Sequence, residues 1–418
     1  MARNSVLTEG KVPEWIAALA AVGVYCSMYA FRKPFTMLSY DQLEYFGISY
    51  KVWLITAQVL GYSLSKIWGI RLISELTPND RYFFLIKIIS LAWFSLFLFA
   101  MLPPPYTIFM MFLNGIPLGL VWGVVFSYLE GRQLTDLMAS LLASSFIFSS
   151  GLVKSIGSYF LYLGVFPEWM PFVTGGFFFI PFLALLTVMN RISPPTKKDQ
   201  EARTTRTPMN GSERRLFWTQ WSVLLLPLIF IYIFYTILRD YRDNFSLELF
   251  QDFHIQDMWL ITRTEFLISL TLLAVLGGFV LIRNHFRAII YSHLLMIFGF
   301  ILLFISSWLY QSGYWSGLSW YLASGLGVFA GYIPFNCILM DRLIAMIQLK
   351  GNAGFLMYIF DSLGYAGTVL VLLIKEWIFF PVSPSGFYLQ MIYILGMGGT
   401  VLILYSIFLH TRTFKVYA

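Results

Sequence analysis

The chain has 418 residues, of which 58% are hydrophobic and only 12% are charged, against roughly 25% charged residues in soluble domains. A single hydrophobic core stops growing near about 250–300 residues, so this much apolar surface needs lipid as its solvent. The composition therefore excludes a cytosolic enzyme, a nucleic-acid-binding protein and a secreted disulfide-bonded scaffold. The formal net charge of +7 is interpreted as the excess of Lys and Arg that cytoplasmic loops of membrane proteins carry.

Twelve apolar runs are long enough for membrane-spanning helices, which need about 20 residues each. Six runs lie before a polar stretch, at 14–38, 51–70, 82–102, 106–129, 138–163 and 169–190. Six runs lie after it, at 216–240, 256–282, 288–310, 314–340, 352–379 and 386–410. Strands of a transmembrane barrel would alternate apolar and polar residues, whereas these runs are continuously apolar. The sequence predicts an all-α polytopic membrane protein with twelve transmembrane helices in two pseudo-symmetric six-helix bundles, 1–190 and 216–418, joined by a basic cytoplasmic linker at 191–215.

The distribution of charge predicts which side of the membrane each loop occupies. If both termini are cytoplasmic, most of the 28 Lys and Arg residues fall in cytoplasmic segments. The outer loops then carry carboxylates, namely Asp41, Glu44, Glu248, Asp252 and Asp257. This arrangement obeys the positive-inside rule. We therefore expect a protein of a bacterial inner membrane with both termini in the cytoplasm.

The two halves resemble each other weakly around two arginines. Tyr29 precedes Arg32 in the first run, and Tyr235 precedes Arg239 in the seventh. Internal repeats are typical of secondary transporters, whose substrate site lies near the membrane midplane between the repeats. Two guanidinium groups meeting there would form a clamp for an anion, since each presents a planar donor fork suited to phosphate or carboxylate. We predict that these four side chains bind substrate.

Other ionisable residues also fall inside the runs, where such groups are functional by default. Lys66 and Lys154 add positive potential and are assigned to the same substrate site. Asp361 is alone in its run and has three interpretations: a salt-bridge partner for a cation, a proton carrier, or a ligand for a substrate ammonium. The salt bridge is favoured because buried charges are normally paired. Arg263 and Glu265 lie two residues apart, so they point to different sides of their helix; both are assigned to coupling or to the cavity.

Two stretches resemble a known family. Residues 25–35, YCSMYAFRKPF, and residues 61–66, GYSLSK, make the chain similar to a major facilitator superfamily transporter. More narrowly, the chain resembles the organophosphate:phosphate antiporters, which include the glycerol-3-phosphate and hexose-phosphate exchangers. The resemblance implies that Arg32 and Arg239 bind the phosphoryl group and that Lys66 matches a lysine of the family's cavity.

The chain also departs from the family's pattern. The family's histidine on the fifth helix is absent, and Lys154 lies nearby in the sequence instead. The Asp-Arg loop after the second helix is reduced to Glu75 followed by Asp80 and Arg81.

These observations favour a secondary active transporter of an organic anion, in particular a phosphorylated metabolite, working by alternating access. Transport is by anion exchange, with inorganic phosphate as the counter-substrate, or is coupled to protons. The alternative is a membrane sensor of the same fold that binds a phosphorylated ligand without transporting it. An enzyme is not expected, because the four histidines fall in loops or near the ends of runs and form no metal-binding spacing. We expect a monomer in the lipid bilayer without cofactor, metal or nucleic acid.

Overall fold

The computed structural model describes residues 13–40, 43–77, 80–129, 135–192, 211–279, 281–347, 353–378 and 382–414. The helices of the first half are α1 Glu14–Tyr29, α2 Tyr50–Glu75, α3 Asp80–Met101, α4 Tyr106–Leu129, α5 Thr135–Tyr162 and α6 Met170–Met189. Those of the second half are α7 Gly211–Asn244, α8 Ser246–Asp252, α9 Trp259–Phe279, α10 His285–Gln311, α11 Gly317–Pro334, α12 Met340–Met346, α13 Ala353–Ile378 and α14 Pro384–Thr413. A π-helical turn, Phe335–Leu339, joins α11 to α12.

Each predicted run overlaps one of these helices, and the chain is an all-α multi-pass integral membrane protein. Within the described residues, ten helices are long and apolar enough to cross a membrane, with α11 and α12 forming one of them. The first helix, with 16 residues, is shorter than the usual span, and α2 is not among the ten. The count of twelve spans therefore stays a prediction.

The predicted linker is described only at its ends. Residues 193–210 lie outside the described part of the chain, as does Asp41. Helix α7 begins at Gly211, so its first residues fall within the segment that was predicted as linker.

The first predicted run, 14–38, is not one continuous helix. Helix α1 ends at Tyr29, and a turn leads into a short 3₁₀ helix, Pro34–Met37. Pro34 contributes to the break, because it has no backbone N–H to donate to the Ala30 carbonyl. Arg32 thus lies in an irregular segment between two helices.

A small β-hairpin follows this segment. Strand β1, Glu44–Tyr45, pairs antiparallel with β2, Ile48–Ser49. Phe46 and Gly47 both have positive φ, 58° and 70°, as a two-residue type I′ turn requires. The side of the molecule that carries this hairpin is called the hairpin side below.

Glycines bring α2 and α4 of the first half close together. A Cβ on Gly61 would clash with the Phe112 carbonyl oxygen, and one on Gly115 would clash with the Gln58 carbonyl oxygen. In the same half, α1 packs on α5 and α6. In the second half α7 packs on α13 and α14, and α10 packs on α11. The two halves meet where α5 packs on α9 and where α2 packs on α13.

The contact between α5 and α9 is antiparallel and lined with small polar residues. Ser155 donates to the Met258 carbonyl at 2.7 Å, Thr262 donates to the Gly151 carbonyl at 3.1 Å, and Ser269 donates to the Ser144 carbonyl at 2.7 Å. Small residues let helix backbones approach closely in membranes. The hydroxyls therefore link the halves between residues 144–155 of α5 and residues 258–269 at α9.

Candidate functional site

Arg32 is a buried cation whose guanidinium has no hydrogen-bond or ion-pair partner among the described residues. The residue is 6% exposed, and its guanidinium carbon lies 4.1 Å from the centre of the Tyr62 ring and 6.0 Å from that of Tyr29. In the part of the chain that the structure describes, no carboxylate or other acceptor pairs with the guanidinium, and its Nε is buried without a hydrogen bond. An unpaired buried charge costs on the order of several kcal/mol in lost hydration. The charge of Arg32 is therefore not compensated by an ion pair within the described chain.

Arg239, on α7, is buried but already paired. Its Nη2 lies 2.5 Å from Oδ1 of the adjacent Asp240, and its Nε donates to the same oxygen at 3.0 Å. Thr368 on α13 donates to the other carboxylate oxygen at 3.0 Å. The guanidinium also lies over the Tyr332 ring, at 4.2 Å. The predicted clamp thus contains one unpaired arginine and one that Asp240 neutralises.

Two tyrosines in contact with each other lie between the arginines. Tyr62 on α2 and Tyr365 on α13 meet edge to face with their ring centres 5.3 Å apart. Arg32 lies over Tyr62, and the Arg239 guanidinium carbon is 5.7 Å from the centre of the Tyr365 ring. The structure therefore brings both predicted arginines to the interface between the halves.

Lys66 and Asp361 form an ion pair across the same interface. Lys66 on α2 contacts Asp361 on α13, and its Nζ lies 4.8 Å and 5.2 Å from the ring centres of Tyr62 and Tyr365. Tyr232 of α7 donates a hydrogen bond to the same carboxylate. The salt bridge is thus the arrangement that the structure shows for Asp361. Its partner is Lys66, and not one of the other interior cations.

Lys154 belongs to a second cluster, nearer the hairpin side. Lys154 lies 2.6 Å from Asp243 Oδ1, Ser150 donates to that oxygen at 2.5 Å, and Lys33 lies 2.5 Å from Oδ2. Lys33 also donates to Asn244 Oδ1 at 2.8 Å. One carboxylate of the second half therefore holds two lysines of the first half.

A further ion pair lies next to the hairpin. Lys51, at the start of α2, contacts Glu248 of α8, and the backbone N–H of Ser49 donates to Glu376 of α13 at 2.9 Å. Among the described residues, the ion pairs that join the halves are Lys33–Asp243, Lys154–Asp243, Lys51–Glu248 and Lys66–Asp361. Each takes its lysine from the first half and its carboxylate from the second.

Tyr235 does not lie with the other predicted substrate residues. Its ring stacks on Phe300 with centres 4.3 Å apart, and its hydroxyl donates to the Met296 carbonyl at 2.6 Å. A Cβ at Gly331 would overlap the Tyr235 ring. The side chain is fully buried within the second half, where it packs α7 against α10 and α11. Tyr235 therefore matches Tyr29 in the sequence but does not occupy an equivalent place beside the arginine.

Glu265 and Arg263 also differ from the expectation of cavity charges. Glu265 is buried and accepts from Arg242 at 2.7 Å and from Tyr321 at 3.1 Å, so it neutralises a cation within the second half. Arg263 is exposed and lies on the same helix face as the exposed Leu267. Residues four apart share a face of a helix, so Arg263 faces the surroundings of the protein and not the interior.

The sequence analysis missed several residues of this region. Tyr62 precedes Lys66 by four residues, so helical spacing alone puts both on one face of α2. Asp240 directly follows Arg239 and could have been recognised as its counter-ion. Tyr365 and Tyr332 carry no such signal, because their position depends on how the second half packs. No group of three or more His, Cys, Asp or Glu residues suited to a metal occurs within the ranges that the structure covers.

Comparison with solved structures shows the fold. The chain is similar to the crystal structure of a D-xylose-proton symporter, with a TM-score of 0.59 and 13% sequence identity over 94% of this chain and 96% of that chain. The chain therefore has a major-facilitator-like fold. No curated protein matches it. A family of unknown function, DUF5690, matches residues 34–413, and the chain belongs to this family.

Proposed function

We propose that the protein is a secondary transporter of an organic anion and that the anionic group of the substrate binds Arg32. The observation that carries the proposal is the buried Arg32 guanidinium, which has no counter-ion in the described chain and lies at the interface between the halves. In transporters with internal repeats, the substrate site lies near the midplane at this interface.

The physical argument is one of charge compensation. A unit negative charge about 4 Å from a guanidinium gains on the order of 4 kcal/mol at an effective dielectric near 20. A ligand can obtain this electrostatic gain at Arg32. Arg239 and Lys66 already have counter-ions, namely Asp240 and Asp361. The planar fork of arginine suits phosphate and carboxylate equally. The resemblance of residues 25–35 to the organophosphate antiporters favours a phosphorylated metabolite.

Alternating access is the mechanism that we propose, and the way the halves are joined supports it. Ion pairs hold them together on the hairpin side and at the level of Lys66, and a rocking motion has to break one set to admit substrate. The carrier works by exchange for inorganic phosphate or by coupling to protons. Both termini are on the cytoplasmic side of a bacterial inner membrane in this proposal, on the distribution of Lys and Arg.

A panel of ligands tests the proposal on purified protein. A ligand that binds only the folded state raises the melting temperature by mass action. We expect inorganic phosphate, sugar phosphates or carboxylates to raise it for the wild type and for Lys375→Gln, a control whose lysine pairs with Glu376, but not for Arg32→Gln. Stabilisation by neutral sugars alone, D-xylose included, would overturn the proposal.

Uptake into proteoliposomes then tests transport itself. The stabilising anion should enter vesicles, and either internal phosphate or an inward proton gradient should accelerate its entry. A protein that binds the anion without uptake or counterflow would be a sensor of the same fold, and the transport proposal would be wrong.

A further inference from the structure

The main chain around Arg32 leaves two carbonyl groups outside the helical hydrogen-bond pattern. Helix α1 ends at Tyr29, and the backbone N–H of Thr36, which would meet the Arg32 carbonyl in an α-helix, donates to the Lys33 carbonyl at 3.0 Å instead. The carbonyls of Phe31 and Arg32 are met by side-chain amides: Asn114 Nδ2 donates to Phe31 at 3.2 Å and Gln58 Nε2 donates to Arg32 at 3.0 Å. An unpaired buried carbonyl costs about 1–3 kcal/mol, so these two bonds hold the break in place.

The two amides form one closed network. Gln58 Nε2 also donates to Asn114 Oδ1 at 2.8 Å, and Asn114 Nδ2 also donates to the Ala92 carbonyl at 2.9 Å. Gln58 is 4% exposed and Asn114 is fully buried. Each NH₂ group has two protons to donate, and each here has two acceptors. The network ties the segment after α1 to α2, α3 and α4 at once.

Helix α2 contacts both the main-chain carbonyl and the side-chain guanidinium of Arg32. Gln58 and Tyr62 are four residues apart and therefore lie on one face of α2. Gln58 holds the Arg32 carbonyl, and the Tyr62 ring lies 4.1 Å from the guanidinium carbon. The contact between α2 and α4 at Gly115, where a Cβ would clash with the Gln58 carbonyl oxygen, keeps the two amides within reach of each other.

We propose that Gln58 and Asn114 are positioning residues for the anion site: they fix the main chain between Tyr29 and Pro34 so that the Arg32 guanidinium stays over Tyr62. The inference rests on the proposed function of Arg32. A binding group must be held within about 0.5 Å of its productive position by supporting hydrogen bonds. Loss of the Gln58 bond therefore weakens anion binding through Arg32, and not only the stability of the fold.

A double-mutant cycle separates positioning from structure. Gln58→Met keeps the length of the side chain and removes its donors. We expect it to weaken inorganic phosphate binding at least tenfold in the wild type but less than twofold in an Arg32→Lys background, because coupled residues are not additive. Tyr128→Phe is the control, since it removes a 3.1 Å hydrogen bond to Asn190 in the same half away from Arg32. Full additivity of Gln58→Met and Arg32→Lys would overturn the proposal.

A second readout needs no ligand. Phenylglyoxal modifies accessible guanidinium groups, and mass spectrometry reports the modification of each arginine separately. Gln58→Met, or Gln58→Asn if the first variant does not fold, should raise labelling of Arg32 several-fold and leave Arg239 unchanged. Equal labelling of Arg32 in these variants and in Tyr128→Phe would contradict the proposal. If wild-type protein binds no anion but Arg32 labelling responds as expected, the proposed function fails and the positioning of Arg32 stands.

Discussion

Replacing Asp361 by asparagine removes the counter-ion of Lys66 with almost no change in volume. The oxygen of the introduced amide would still accept the hydrogen bond from Tyr232, while its NH₂ group would replace the oxygen that contacts Lys66. The substitution therefore removes both the counter-charge and the acceptor of Lys66. The lysine would remain on its two tyrosine rings in a site where its side chain is 8% exposed. The contact between α2 and α13 would then hold an uncompensated cation.

The expected cost follows from these surroundings. Removing one partner of a buried ion pair costs about 3–5 kcal/mol. The 14% exposure of the Asp361 side chain lets water reach the lysine, and the two rings keep a cation–π attraction of about 0.5–1 kcal/mol or more each. We therefore expect a net loss of about 2–3 kcal/mol in the free energy of unfolding.

Thermal unfolding in detergent, followed by tryptophan fluorescence, measures this loss. Asp257→Asn is the matched control, because Asp257 is exposed and caps Trp259 with an oxygen that asparagine also has. The double substitution Lys66→Met with Asp361→Leu should restore stability, since apolar replacement of a buried pair is often neutral or stabilising. The reasoning would be refuted if Asp361→Asn had the same melting temperature as Asp257→Asn, or if the double variant were no more stable than Asp361→Asn.

Further variants test the anion site and the hairpin side. Arg32→Lys keeps the charge but loses the planar fork, so phosphate affinity in thermal-shift titrations should fall at least tenfold; unchanged affinity would remove Arg32 from the site. Arg239→Lys should lower phosphate affinity less, because Asp240 already pairs with this arginine. An equal loss of affinity would indicate that both arginines bind the anion. Asp243→Asn frees two lysines, so a cysteine introduced at the buried Ser246 should react faster with a maleimide; an unchanged rate would show that this carboxylate does not hold the halves together.

The positions of the helices followed from hydrophobicity, whereas the interruption of the first one did not. Residues 15–38 carry no charged residue apart from Arg32 and Lys33. A largely apolar run of this kind looks the same whether it forms one helix or a helix and a turn. Pro34 was the local signal for the break. The break depends further on Gln58, whose position is known only once α2 is packed.

The candidate site was predicted in part. Intramembrane charge identified Arg32, Lys66 and Asp361, but pairing requires knowing which helices face each other, so the Lys66–Asp361 partnership could not be derived. Arg263 shows the same limit: it shares a helix face with Leu267, but only the structure shows that this face is exposed. Weak internal symmetry was misleading for Tyr235, since matching positions in two repeats can pack differently.

The sign of the charges between the halves has a consequence for assembly. Lysines of the first half meet carboxylates of the second in each of the ion pairs described between them. Two copies of the first half would bring lysines against lysines, and two copies of the second would bring carboxylates together, which like-charge repulsion disfavours. If the chain were divided within 193–210 and its parts were produced together, each part should select the other and reject its own kind. The ion pairs thus favour association of a first half with a second half over association of two identical halves.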